Sequence, residues 1–105
     1  MKIVGITSCP SGVAHTYMAA EALESTGKKR GHEVHVETQG SIGIENKLTQ
    51  EQIDQADVVI LTKDMAIIEE DRFEGKKIVR VAISDLVAKT ELILEKIEQA
   101  IAASK

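Results

Sequence analysis

Residues 57–62 read Asp-Val-Val-Ile-Leu-Thr, and the four in the middle are all apolar. A strand shows alternate side chains to opposite faces, so an unbroken apolar run requires cover on both sides. A parallel sheet with helices packed above and below meets that demand.

The flanking segments supply the other parts of such a fold. Lys2 to Thr7 (KIVGIT) is a β-branched run of strand length. From Val13 to Arg30 the chain is alanine-rich, with Met18, Ala19, Ala22 and Leu23 at helical spacing. Lys28-Lys29-Arg30 followed by Gly31 reads as a helix end, with cations at the negative end of the dipole and a residue free to turn left-handed. Glu33 to Thr38 (EVHVET) alternates as a half-covered edge strand does, and Gln39-Gly40-Ser41-Ile42-Gly43 breaks it. Thr49 to Gln52 has the form of a capping box ahead of a short helix with Ile53 and Ala56 inward. A short helical turn is expected within Ile67 to Phe73, and Lys77 to Ile83 (KIVRVAI) is a fourth strand. After Ser84-Asp85, either of which can cap it, Leu86, Ile93, Leu94, Ile97 and Ile101 mark one closing amphipathic helix.

This alternation predicts a single α/β domain over residues 1–105, a three-layer αβα open sheet of four parallel strands in the flavodoxin/Rossmann-like class. The two most apolar strands, first and third, belong in the middle, which gives the order 2-1-3-4. In that order the connections on either side of strand one diverge at its carboxyl end and open a crevice there.

Cys9, the only cysteine, falls at that crevice, within Ser8-Cys9-Pro10-Ser11-Gly12-Val13-Ala14-His15-Thr16. A lone cysteine is ordinarily a small buried hydrophobe. Here it stands between a strand end and a helix start, where unpaired amides and the positive end of a dipole favour a thiolate and would cradle an anion bound to it. Ser11 can cap the helix or donate to such an anion, and Thr16 lies within a turn. His15 fits equally a satisfied helix histidine and a functional one. Gln39-Gly40-Ser41, after strand two, is a turn and a candidate site wall at the same end of the sheet, where Thr62-Lys63-Asp64 also lies.

The remaining features are less specific. His32 and His35 do not share a strand face and lack further ligands, so no metal site is expected. Glu69-Glu70-Asp71-Arg72 reads as a solvated surface. Aromatics are 2% of the chain and the net charge is −4, which leaves neither stacking platforms nor a basic footprint for nucleic acid. One cysteine and the lack of a long apolar stretch or signal segment fit a reducing cytoplasm.

Two phosphate-carrying cysteine chemistries use a strand–loop–helix of this kind. A low-molecular-weight tyrosine phosphatase would need an arginine six residues after the cysteine, and His15 stands there. No lysine or arginine occurs from Ser8 to Glu21. A carrier that must keep its phosphoryl group from water suits that absence.

The sequence resembles the fructose-specific IIB domain of the bacterial sugar phosphotransferase system. The resemblance is carried by Cys9 to Thr16 with Met18-Ala19-Ala20-Glu21-Ala22-Leu23, by Val36-Glu37-Thr38-Gln39-Gly40-Ser41, by Ala56-Asp57-Val58-Val59-Ile60, and by Arg72-Phe73 before Gly75. Ser11 stands where the family often has threonine, and Lys63 to Glu70 differs from the family's usual loop. The resemblance implies a phosphotransferase without a cofactor, working through a covalent phosphocysteine. A IIA domain's phosphohistidine would phosphorylate Cys9, which would pass the group to a sugar of fructose type held by a membrane IIC component, at the cytoplasmic face of the membrane. Pro10, Ser11, Gly12, Val13, Ala14, His15 and Thr16 would surround the phosphoryl group, with the backbone amides of Ser11 to His15 as its cradle. A free-standing regulatory phosphocarrier, whose phosphorylation another protein reads, is the alternative role.

Overall fold

The computed structural model describes residues 1–9, 13–40 and 43–103. Ten elements follow in order: β1 (Lys2–Thr7), α1 (Val13–Lys29), β2 (Glu33–Gly40), β3 (Gly43–Glu45), α2 (Gln50–Gln55), β4 (Val58–Thr62), a 3-10 turn (Glu70–Phe73), β5 (Ile78–Val81), α3 (Ile83–Ala88) and α4 (Thr90–Ala103).

The sheet has five strands in the order β3-β2-β1-β4-β5. Its four parallel strands keep the expected arrangement, with β1 and β4 central and β4 buried along its whole length. The expectation of four strands is corrected by β3, which pairs antiparallel with the end of β2 (Thr38↔Glu45, Gln39↔Ile44, Gly40↔Gly43). A strand of three residues is too short to show a period of two. Its addition also makes the upper half of β2 an interior strand and not the edge.

Two cores lie on opposite faces of the sheet. On one, Ala19, Ala20 and Leu23 of α1 meet Ile3, Val34, Val36, Val58 and Ile60, with Leu86, Leu94 and Ile97 completing the layer. Ala20 takes the inward place that spacing gave to Met18, which is half exposed. Gly27 brings α1 close enough to β2 that a Cβ there would lie 2.3 Å from Val34 Cγ2. Beyond it, Gly31 at φ 84 closes the helix while the His32 amide donates back to the Gly27 carbonyl at 2.9 Å. On the other face Val4, Ile6, Val59 and Leu61 pack with Leu48, Ile53, Ile67 and Phe73. Thr49 and Gln52 form the reciprocal capping box of α2, at 3.1 and 2.9 Å.

The closing helix is two helices. Lys89 at φ −128 ends α3, and Thr90 then opens α4, its hydroxyl donating to the Leu86 carbonyl. Apolar spacing runs across the break because both pieces pack on the same core. Neither Ser84 nor Asp85 caps α3: Ala82 occupies the N-cap, and Asp64 Oδ1 accepts from the Ile83 amide at 2.6 Å. Among the described residues no helix is long and apolar enough to cross a membrane.

Candidate functional site

β1 ends at Thr7, and the next two residues are held by its neighbours. The Ser8 amide donates to Thr62 Oγ1 at 2.9 Å, and that hydroxyl donates to the Ser8 carbonyl at 3.2 Å. Ser8 Oγ donates to the Gln39 carbonyl at 2.9 Å. Ser8 is thus tied to the carboxyl ends of β4 and β2 together, and Cys9 follows it into the crevice between them. Both anchoring residues are buried, Thr62 fully. Cys9 itself is partly buried, with its chain continuing to the start of α1 at Val13.

Cys9 lines a pocket of about 220 Å³ with Ser8, Gln39, Gly40, Gly43, Ile44, Met65, Ala66 and Ile68. Gln39 and Gly40, which end β2 and pair with β3 where a turn was expected, line this pocket with the cysteine. Pro10, Ser11, Gly12 and Ser41 lie outside the described residues. Ala14 and His15 are exposed on the first turn of α1. Thr16 is fully buried, its carbonyl accepting from Thr7 Oγ1 at 2.9 Å and its own hydroxyl without a partner among the described residues. Among the described residues that line it there is no lysine or arginine.

Beneath this wall lies a buried ion pair that the sequence reading passed over. Glu37 sits on the parity of β2 that alternation assigns to solvent, yet it is 0% exposed, because Leu48 and the segment around the 3-10 turn cover that face. Arg72 reaches it with both guanidinium prongs, Nη1 to Oε1 at 2.8 Å and Nη2 to Oε2 at 2.7 Å. The Leu48 amide and Gln39 Nε2 supply further donors at 2.9 and 2.8 Å. Burial pushes the Glu37 carboxyl up, but these donors and the charge of Arg72 outweigh it and hold the group below the usual carboxylate range. Arg72 also lies over the Phe73 ring, 4.9 Å from its centre. The expected solvated run at 69–72 is thus corrected for Arg72, whose side chain is only 12% exposed. The one sequence signal was the presence of Glu37 and Arg72 in the resemblance blocks.

The two histidines go separate ways. His32 Nε2 meets Glu98 at 2.6 Å and its Nδ1 meets the Met1 amine at 3.0 Å, while His35 faces Glu33.

Comparison with known proteins agrees over nearly the whole chain. Residues 4–99 match the family model described as the lactose/cellobiose-specific IIB subunit of the PTS system. A fructose-like EIIB component 2 of the PTS system from Escherichia coli K12 is 65% identical over 97 residues, 92% of each chain. A fructose-like EIIBC component from the same organism is 46% identical across 92% of this chain, which spans only 20% of that longer protein. The solution structure of an Enzyme IIB subunit of the PTS system from Escherichia coli K12 superposes with a TM-score of 0.92 at 36% identity, covering 98% of this chain and 95% of that one. The chain belongs to the IIB family of the PTS, among its fructose-like members.

Proposed function

We propose that this chain is a phosphoryl carrier in which Cys9 takes the group from a phosphohistidine of a IIA-type partner and gives it to a sugar. The observation that carries the reading is the placement of the sole cysteine at the carboxyl end of β1, in a pocket whose described lining holds no cation. In the first step the Cys9 thiolate attacks phosphorus, an S–P bond forms, the P–N bond breaks and the imidazole leaves. In the second, a sugar hydroxyl oxygen attacks, a P–O bond forms, the S–P bond breaks, and the hydroxyl proton passes to a base beside the sugar. The thiolate is the leaving group and is ready for another cycle.

Such transfers depend on alignment and on stabilising equatorial oxygens more than on bond polarisation. Backbone amides from Ser11 to His15 are the cradle in this reading, those of Val13 to His15 opening α1, with the hydroxyls of Ser11 and Thr16 as donors. His15, exposed on the first turn, is a further donor toward the thiolate or its phosphoryl group. An arginine in the pocket would steady a hydrolytic transition state as well; its absence from the described lining keeps water attack slow. Fusion of a related sequence to a IIC part, in the protein named EIIBC, supports a membrane transporter as the acceptor's holder and a cytoplasmic setting. It favours transport over a purely regulatory role.

The test is transfer from a phosphorylated IIA-type donor, followed by mass analysis of the intact chain and its peptides. One phosphoryl group is expected on Cys9, and none on the Cys9→Ser variant. Labelling of Cys9→Ser at the wild-type rate would overturn the assignment.

A further inference from the structure

Glu37 lines no part of the cysteine pocket, yet its carboxylate is completely used. Arg72, Leu48 and Gln39 bring four donors to its two oxygens. A carboxylate accepts and does not donate, so it decides which end of the Gln39 amide faces it: the nitrogen must. Gln39 Oε1 is thereby turned to the Ile68 amide, from which it accepts at 2.9 Å, and Nε2 donates its other hydrogen to the Ile68 carbonyl at 3.1 Å. The side chain of β2 thus holds both backbone groups of one residue in the segment after β4, as a further rung of the sheet would.

That segment carries Met65, Ala66 and Ile68, one wall of the Cys9 pocket. The next residue, Glu69, is left-handed at φ 58, a conformation that disfavours a non-glycine residue. Arg72 Nε binds the Glu69 carbonyl at 3.0 Å and Nη2 reaches the Ile68 carbonyl at 3.4 Å. One ion pair therefore fixes the wall twice, through Gln39 and directly.

The geometry points to Glu37, Arg72 and Gln39 as positioning residues for transfer at Cys9, holding the Met65–Ile68 wall of its pocket at a fixed place. A buried ion pair contributes little net stability compared with apolar residues of the same size, so stability alone is a weak account of it. Fixing one side of a pocket in which a phosphoryl group must be aligned is a stronger one. The inference rests on the carrier reading of Cys9.

Gln39→Met tests it, because it keeps length and burial and leaves Arg72 and the Leu48 amide on Glu37, while removing the bridge to Ile68 together with the one bond from Gln39 to Glu37. Four quantities are measured on the full chain: amide exchange at Ile68, kcat and KM for phosphoryl transfer from a phosphorylated IIA-type donor, the rate of Cys9 alkylation by iodoacetamide, and the thermal midpoint. Expected are faster exchange at Ile68 with unchanged β1 and β4 amides, and kcat lower by about ten- to a hundredfold at similar KM. Alkylation, which needs only an accessible thiolate, stays near the wild-type rate. Arg72→Lys keeps the charge without the fork and is expected to give the same split in milder form, which keeps the test open if Gln39→Met folds poorly. Wild-type kcat with a mobile Ile68 amide overturns the proposal, as does an Ile68 amide that stays protected, or a joint fall of transfer, alkylation and thermal midpoint in both variants. If wild-type protein takes no phosphoryl group, the carrier reading falls and this inference with it; that failure is recognised because it occurs without any substitution.

Discussion

The two ends of the sheet each hold a carboxylate bound by two nitrogens of one arginine, but in different surroundings. At the carboxyl end, Glu37 is fully buried with Arg72, and every donor around it belongs to the frame beneath the cysteine pocket. At the amino end, Glu98 of α4 takes Arg30 at 2.7 Å on both oxygens and His32 at 2.6 Å, joining the helix to the turn before β2. Glu98 and Arg30 there keep about a quarter of their side-chain surface in water, 26% and 27%. Two bidentate pairs, one through Nη1 and Nη2 and the other through Nε and Nη2, thus have unequal consequences. Water can solvate whichever partner is left when the outer pair is cut, whereas nothing replaces the partner of a desolvated charge.

The largest effect that separates the ends is on the proposed transfer. Cys9→Ser is expected to lower phosphoryl acceptance by about a thousandfold or more, since a hydroxyl lacks both the nucleophilicity and the accessible anion of a thiol. Glu98→Gln, at the far end, should leave it within about twofold. Rates of donor-dependent labelling compare the two directly. A loss of labelling in Glu98→Gln at unchanged stability would show that the ends are coupled, and the division drawn here would fail.

Stability should separate them next. Arg72→Met leaves Glu37 buried without its counter-ion and is expected to cost about 3–5 kcal/mol. Arg30→Met exposes Glu98 to water and should cost far less. Urea midpoints read the difference, provided that the slope of each transition is unchanged. Equal losses from the two substitutions would mean that burial is not what distinguishes the pairs.

Between the two ends α1 lies close against β2 at Gly27, and a smaller effect marks that packing. Alanine at Gly27 gains up to about 1 kcal/mol of helix propensity but forces a methyl against Val34, at a cost of about 1–3 kcal/mol. Gly27→Ala should therefore lower the thermal midpoint by several degrees while leaving Cys9 alkylation unaltered. A raised midpoint would show that Val34 can move aside.

How far each feature could be read in sequence follows from the range of the forces that place it. Cys9 stands at a strand–helix junction, and both elements announce themselves within a few residues of it, as Thr49 and Gln52 do for α2. The crevice followed from topology, because the apolar run at 58–61 required β4 to lie inside the sheet. Glu37 and Arg72 meet across 35 positions, and alternation in β2 put the carboxylate in solvent; only the later covering of that face by Leu48 and Phe73 makes burial possible. The Met65–Ile68 wall has no period at all. It is positioned by Gln39, whose amide orientation is decided by a third residue, Glu37.

The smallest expected effect is the response of the two ends to acid and salt. Glu98 is held down to about 2, first by its bonds to Arg30 and His32, while Glu37 lies below the usual range despite its burial. A carboxyl depressed in the folded state binds its proton more readily when unfolded, so each contributes stability at neutral pH. That contribution begins to fade as pH falls past the unfolded value of about 4.3. For Glu98 it is gone once pH has dropped through about 2. Salt then tells them apart: about 1 M brings the screening length to ~3 Å, which weakens an exposed pair far more than a desolvated one. Urea midpoints of wild type, Glu98→Gln and Glu37→Gln from pH 7 downward, at low and high salt, give the comparison. The deficit of Glu98→Gln should shrink both in acid and in salt, and that of Glu37→Gln in acid alone. If salt reduced both deficits equally, water would have to reach the Glu37–Arg72 pair, and the frame beneath the cysteine pocket would be looser than its hydrogen bonds imply.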